Sequence, residues 1–499
     1  MRAVLIMYDS LNKRYLSPYG NTWVSTPNFE RLQRHAVTFD NFYAGSLPCM
    51  PARRELHTGR LNFLHRGWSP CEPFDESMPQ ILDENGIYSH LITDHCHYWD
   101  DGGANYQNRF SSFSFVRGQE GDHWVPDVVG GDGTRRRQDQ ANRNRMGEET
   151  EHYHVRCFLE GREFIFNNRE NDNWYLQLEY FDPHEPFFVP ERFKKLYTDV
   201  PTDIDWPAYK PVEEGDESKL KEYVINYGAL VSMCDEYLGR ILDIFDEYDL
   251  WKDTMLIVNT DHGYFLGEKG FVGKNYMPVY DEIANLPFFI HHPDYPEEDG
   301  TRRTMLAQTP DIPVTLLEWF HQKKGTHMLG ESLRPVIENK ENIHQAVLYG
   351  YHGMHINVTD GRYTYMRAAR TEDNTPLYQY TLMPWHIAKP MAKEEIRQAA
   401  PKLYCDFDFT DHVPVLRIPV DERYDKKRYY QYSNHIQYGT LLFDREKDKK
   451  QEHSLQDPEI EQRMAGLMLE LMRQNESPEE QYIRLGLNRE DTVKGDRAK

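Results

Sequence analysis

The chain has 499 residues, room for one large domain and a smaller one with an ample core. Its 58 Lys and Arg against 81 Asp and Glu give a formal charge of −23, which excludes nucleic acid or an anionic membrane as the main partner. With 33 Tyr, 24 Phe and 9 Trp the composition is that of a globular chain, not a disordered one.

The first residues, Met1 to Met7, run straight into an apolar strand with no leader-like pattern, and no later run is apolar enough to span a bilayer. Cys49, Cys71, Cys96, Cys157, Cys234 and Cys405 lack paired spacing and read as reduced, individually buried thiols. Together these features predict a cytoplasmic protein.

Three apolar, β-prone runs each end on a polar turn. Residues 3–8 end at Asp9, residues 174–181 at Asp182-Pro183-His184, and residues 255–260 at Asp261-His262-Gly263. Short continuous apolar runs suit strands covered on both faces, which predicts an α/β fold around a large, mostly parallel sheet flanked by helices. Ligands gather at the carboxyl ends of such strands, where all three polar turns lie.

Between the first two runs, Pro48 and Gly59 bracket a short helix opening at Cys49. Arg53 follows Cys49 by four residues and shares its face, so a sulfur, a guanidinium and a helix N-terminus surround one point. Residues 100–150 lack apolar periodicity and read as a long surface excursion. Within it, Arg135, Arg136, Arg137, Arg143 and Arg145 read as a solvated basic stretch balanced by neighbouring acids, with no role of its own.

Val224, Tyr227, Val231, Cys234, Leu238, Ile241 and Phe245 recur by threes and fours, the stripe of a packed helix. Past residue 340 the pattern changes to short strands over residues 346–351, 355–359 and 362–367, with Asp360-Gly361 as a hairpin turn, then residues 441–444. A closing helix carries Ile460, Met464, Leu467, Met468, Leu471 and Met472 on one face. This divides the chain into a catalytic α/β domain, 1–340, and a smaller C-terminal subdomain, 341–499, with an antiparallel sheet and a terminal helix.

Cys49-Met50-Pro51-Ala52-Arg53, followed by His57-Thr58-Gly59-Arg60, resembles the signature of type I sulfatases in the alkaline phosphatase superfamily. The run from Asp261-His262-Gly263 through Gly267 and Gly270 to Lys274, and Asp182-Pro183-His184-Glu185-Pro186, resemble two further motifs of that family. The resemblance implies an alkaline-phosphatase-like fold and a sulfuric ester hydrolase in which Cys49 is oxidised to formylglycine (3-oxoalanine) by a maturation enzyme. It implies a divalent cation on Asp9, the modified Cys49, Asp261 and His262. Ca²⁺ is the ion expected of a sulfatase, and the carboxylate–imidazole set also admits Mn²⁺ or Mg²⁺. Arg53 and Lys274 are implied to hold the reacting groups, His184 to assist the leaving oxygen, and His97 and His95 to contact the sulfate.

Three positions depart from the family pattern. Ala52 replaces a serine, Ser10 replaces a second carboxylate after Asp9, and His95 stands where a lysine is usual. Histidine still donates to an anion but lacks lysine's fixed charge near neutral pH, which suits a substrate less charged than a dianion. The bland alternative is a His95–His97 pair satisfied by Asp94 and Asp100. The sequence therefore predicts hydrolysis of a small-molecule or glycan sulfate ester. A phosphonate monoester or phosphodiester hydrolase using the same site, and a non-catalytic binding protein with Cys49 unmodified, are the other readings. The alcohol half and the oligomeric state stay open.

Overall fold

A computed structural model of the protein describes residues 1–128, 134–202, 204–399, 403–421, 423 and 435–490. Its principal sheet has nine strands. Across it run Arg302–Arg303, Val37–Tyr43, Asn285–His291, Thr254–Thr260, Arg2–Tyr8, Trp174–Tyr180, Tyr88–Thr93 and Ser112–Phe115, with Ala307–Gln308 also paired to Val37–Tyr43. The sheet is mixed rather than wholly parallel, because Asn285–His291 runs antiparallel to both of its neighbours.

Arg2–Tyr8 is buried along its whole length and has a parallel partner on each side. Its alternate residues feed opposite cores. Ala3, Leu5 and Met7 pack with Phe39, Phe42 and Leu56, while Val4, Ile6 and Tyr8 face Tyr227, Val231, Cys234 and Leu238 of the helix Glu217–Glu247. Each large apolar side chain so buried contributes about 1.5–3 kcal/mol. Cys234 lies in that stripe, as the sequence predicts.

Register decides where the functional residues emerge. Tyr8 stands opposite both Tyr180 and Thr260, so Asp9, Phe181 and Asp261 leave the sheet side by side at one carboxyl edge. Thr93 stands opposite Glu179, which brings Asp94 and His95 out beside them.

The second sheet contains Leu441–Asp444, Tyr363–Arg367, Ile356–Thr359 and Val347–Tyr351 in antiparallel order. Asp360 Oδ1 accepts from the main-chain N–H of Arg362 and Tyr363 at 2.9 and 2.6 Å, and Gly361 takes a φ of 91°, closing the expected hairpin. The helix Pro458–Gln474, capped by Asp457, covers this sheet with Met464, Met468 and Met472. Ser46–Leu47 joins the sheet as a parallel fifth strand beside Gly350–Tyr351. That pairing ties the segment before Cys49 to the C-terminal sheet.

The described residues of the excursion at 100–150 are more ordered than their composition suggests. They contain Ser112–Phe115 and a helix, Arg135–Arg145, whose first turn is capped by Thr134. Polar residues all round hide a helix from periodicity, and ion pairs hold this one: Arg135 with Glu120, Arg137 with Asp127, and Arg143 with Asp139 and Asp205. The basic stretch is therefore balanced by acids, but on a helix. No helix among the described residues is long and apolar enough to cross a membrane, and all six cysteines are unpaired.

Candidate active site

Cys49 opens the helix Cys49–Thr58, every residue of which is buried, and Gly59 closes it at a φ of 57°. One turn on, Arg53 Nη1 donates to Cys49 O at 3.1 Å, Asp261 Oδ2 at 2.8 Å and Asp9 Oδ2 at 3.3 Å. Its Nε donates to Glu179 Oε2 at 2.9 Å, while Nη2, equally buried, has no partner. Glu179 is anchored in turn by the Tyr98 hydroxyl at 2.8 Å and by Gln177 Nε2 at 2.5 Å.

Around the Cys49 sulfur stand His262 Nε2 at 3.2 Å, Lys274 Nζ at 3.7 Å and Asp9 Oδ1 at 3.8 Å. Ligand atoms of Asp9, Cys49, Asp261 and His262 all lie within 4.8 Å of one another, and all four residues are buried. His262 Nδ1 donates to the Gly263 carbonyl at 2.9 Å, which leaves the Nε2 lone pair facing the cluster. Two glycines make this possible. A Cβ on Gly263 would fall 1.9 Å from Glu282 O, and one on Gly273, at a φ of 123°, would fall 2.7 Å from the Tyr209 ring.

Ser10 fills the place of the missing carboxylate. At a φ of 64° its hydroxyl donates to Asp9 Oδ1 at 2.8 Å and accepts from Lys274 Nζ at 3.0 Å. Burial and the neighbouring Asp261 push the Asp9 carboxyl well above its ordinary range. At Asp261 burial is outweighed by His262 and Arg53, which hold its carboxyl low. Burial takes His262 down to about 3, so its imidazole is neutral and free to ligate. Two adjacent buried carboxylates and a neutral imidazole could serve as donors to a divalent cation.

A second group of predicted residues forms a wall on Phe181. The rings of His184 and His95 stack on it at 4.1 and 4.7 Å, and His97 stands edge-on to His95 at 5.2 Å. His97 Nδ1 bonds Asp100 at 2.7 Å. His95 is not satisfied by Asp94, whose Oδ1 instead accepts from the Phe181 N–H at 2.7 Å. Both ring nitrogens of His95 are buried and without a partner. Burial, with Arg53, His97, His184 and Lys274 near, holds its pKa well below the usual value.

Three contributors escape sequence inspection: Glu179, which holds Arg53; Phe181, which carries the histidines; and Glu185, beside His184. The single acid in the apolar run 174–181 was the available signal for Glu179.

Comparison with known proteins makes the chain a sulfate ester hydrolase. The chain belongs to the sulfatase family, whose model matches residues 2–322, and residues 267–404 match the model of the N-sulphoglucosamine sulphohydrolase C-terminal region. It is 24% identical over 412 residues to the N-acetylglucosamine-6-O-sulfatase of Bacteroides thetaiotaomicron, covering 68% of this chain and 71% of that one. A protein solved in complex with its substrate D-glucosamine-2-N,6-O-disulfate superposes with a TM-score of 0.66 at 16% identity, covering 96% of this chain and 98% of its own. The phosphonate monoester hydrolase of Agrobacterium radiobacter superposes with 0.64 at 18% identity, covering 95% and 96%.

Proposed function

We propose that the chain hydrolyses sulfate esters of sugars or glycans, with Cys49 oxidised to formylglycine as the nucleophilic residue and a divalent cation on Asp9, Asp261, His262 and residue 49. The observation that carries this reading is the position of the thiol, with His262 Nε2 at 3.2 Å, Lys274 Nζ at 3.7 Å and Asp9 Oδ1 at 3.8 Å around it. Cys49 lies at the focus of the cluster, yet burial, with Asp9 beside it, pushes its pKa well above the ordinary value. A protonated thiol is a poor nucleophile, so chemistry at this position calls for a different functional group.

Formylglycine supplies a hydrated aldehyde, whose second hydroxyl lets the sulfate be released again, and the cation supplies Lewis-acid charge. The chain's own residues do the rest. Arg53 offers Nη2 as an uncommitted donor, and Lys274 brings a fixed charge over the sulfur position. Asp261 takes the proton of the attacking hydroxyl. His184 serves the leaving oxygen, with His97 and His95 donating to the transferring group. The sugar assignment is supported by the aminosugar sulfatase relative and by the disulfated glucosamine bound in the structural neighbour. We also place the protein in the cytoplasm, which its unpaired thiols support.

One observation favours a second reading. Ser10 and His95 are both neutral, which suits a singly charged phosphodiester or phosphonate monoester as well as a sulfate monoester. Co-expression with a formylglycine-generating enzyme, followed by mass spectrometry of the Cys49 peptide, tests the nucleophile. Loss of H₂S with gain of one oxygen, in step with activity, supports it; full activity with intact cysteine contradicts it.

A further inference from the structure

His184 is only 5% exposed, and its Nδ1 donates to the main-chain carbonyl of Glu185. A carbonyl oxygen can only accept, so Nδ1 carries a hydrogen and Nε2 is the nitrogen left for substrate. Glu185 also turns its carboxylate back onto the same nitrogen. Its Oε2 lies 3.3 Å from Nδ1 and has no hydrogen-bond partner, while Oε1 accepts from the Tyr209 hydroxyl. Phe181 closes the other side, stacked on the imidazole at 4.1 Å.

A carbonyl fixes a tautomer but cannot offset a charge. To protonate a departing oxygen, His184 must hold a second proton on Nε2. Burial opposes that, and so do Lys274, His262, His97 and His95 around it. We propose that Glu185 is the positioning residue of His184: its carboxylate, clamped by Tyr209, sustains the imidazolium that protonates the leaving alcohol. The identity of the ester rests on the sulfatase reading; the pair itself does not.

In the step, the bond from sulfur to the ester oxygen breaks with its electron pair on oxygen, as sulfur bonds to the nucleophile of residue 49. That oxygen takes the Nε2 proton, and the imidazole returns to neutral with its Nδ1 proton still facing Glu185. Burial pushes Glu185 up to about 7, with Lys274 and Tyr209 drawing it down and Glu120 raising it; Arg135 and Tyr264 also face it.

The test follows the His184 ring nitrogens by NMR in ¹⁵N-histidine protein, with the signal assigned by its loss in His184→Gln. Glu185→Gln keeps the shape and is expected to lower the imidazolium midpoint by about one pH unit or more. Tyr209→Phe should give a smaller shift in the same direction, and Glu185→Asp should restore most of it. In turnover, Glu185→Gln should lower the alkyl-to-aryl ester rate ratio roughly tenfold, because only a poor leaving group needs the proton. An unchanged midpoint in both Glu185→Gln and Tyr209→Phe, or equal loss on alkyl and aryl esters, overturns the proposal. The NMR measurement requires no turnover, so it decides the pair's role even if the sulfatase reading fails.

Discussion

Arg53 and Glu179 form an ion pair, Nε to Oε2 at 2.9 Å, in which neither side chain is exposed. The same guanidinium bonds Asp9 and Asp261, so one arginine joins the strand Trp174–Tyr180 to both candidate metal carboxylates. Glu179→Gln leaves Arg53 short of a buried counter-charge. It is expected to destabilise the fold by about 3 kcal/mol, measured by denaturant unfolding, and to lower kcat more than it raises KM.

The cation site makes a separate prediction. Burial and Asp261 already disfavour charge on Asp9, so the near-isosteric Asp9→Asn should lower the metal-free Tm less than it weakens cation binding. Added Mn²⁺ or Ca²⁺ at about 100 times Kd should stabilise the wild-type chain by about 2.7 kcal/mol and the variant by much less. Thermal unfolding against metal concentration checks both.

Much of the site was legible because chemistry clusters at element ends. Asp9, Asp261-His262 and His184 each follow an apolar run, and Cys49 follows a proline, so sequence could place them at strand and helix termini. Glu179 sits within a strand, where alternation reads it as one more inward residue, and only the register with Thr93 and Met7 shows that it reaches Arg53. The fold class was legible from the same runs. The antiparallel course of Asn285–His291 was not, because an apolar run carries no direction. Nor was the Ser46–Leu47 pairing, since a two-residue bridge between distant segments leaves no pattern.

In the proposed site, His95 sets the charge of the wall built on Phe181. His95→Lys adds a fixed positive charge beside Arg53 and Lys274, and is expected to shift kcat/KM toward an aryl phosphate dianion over an aryl sulfate by roughly tenfold. His95→Gln, which stays neutral, should leave that ratio within about threefold.

Away from the site, His344 Nε2 lies 2.8 Å from Asp311 Oδ2. Burial opposes protonation of His344, but Asp311 outweighs it and raises the pKa above the unfolded value. The contribution is therefore complete below about pH 6.5 and lost as pH rises through the folded pKa. Against His344→Gln, wild type should be more stable by about 1.5 kcal/mol at acidic pH, with the gap closing in alkali, as chemical denaturation across pH would show.

The most direct measurement compares kcat/KM for an aryl sulfate and an aryl phosphodiester, using protein with confirmed formylglycine and supplied divalent cation, beside Cys49→Ala. The account predicts a sulfate preference that disappears in the variant. Sulfate turnover that survives Cys49→Ala, or none in the fully modified protein, would contradict it.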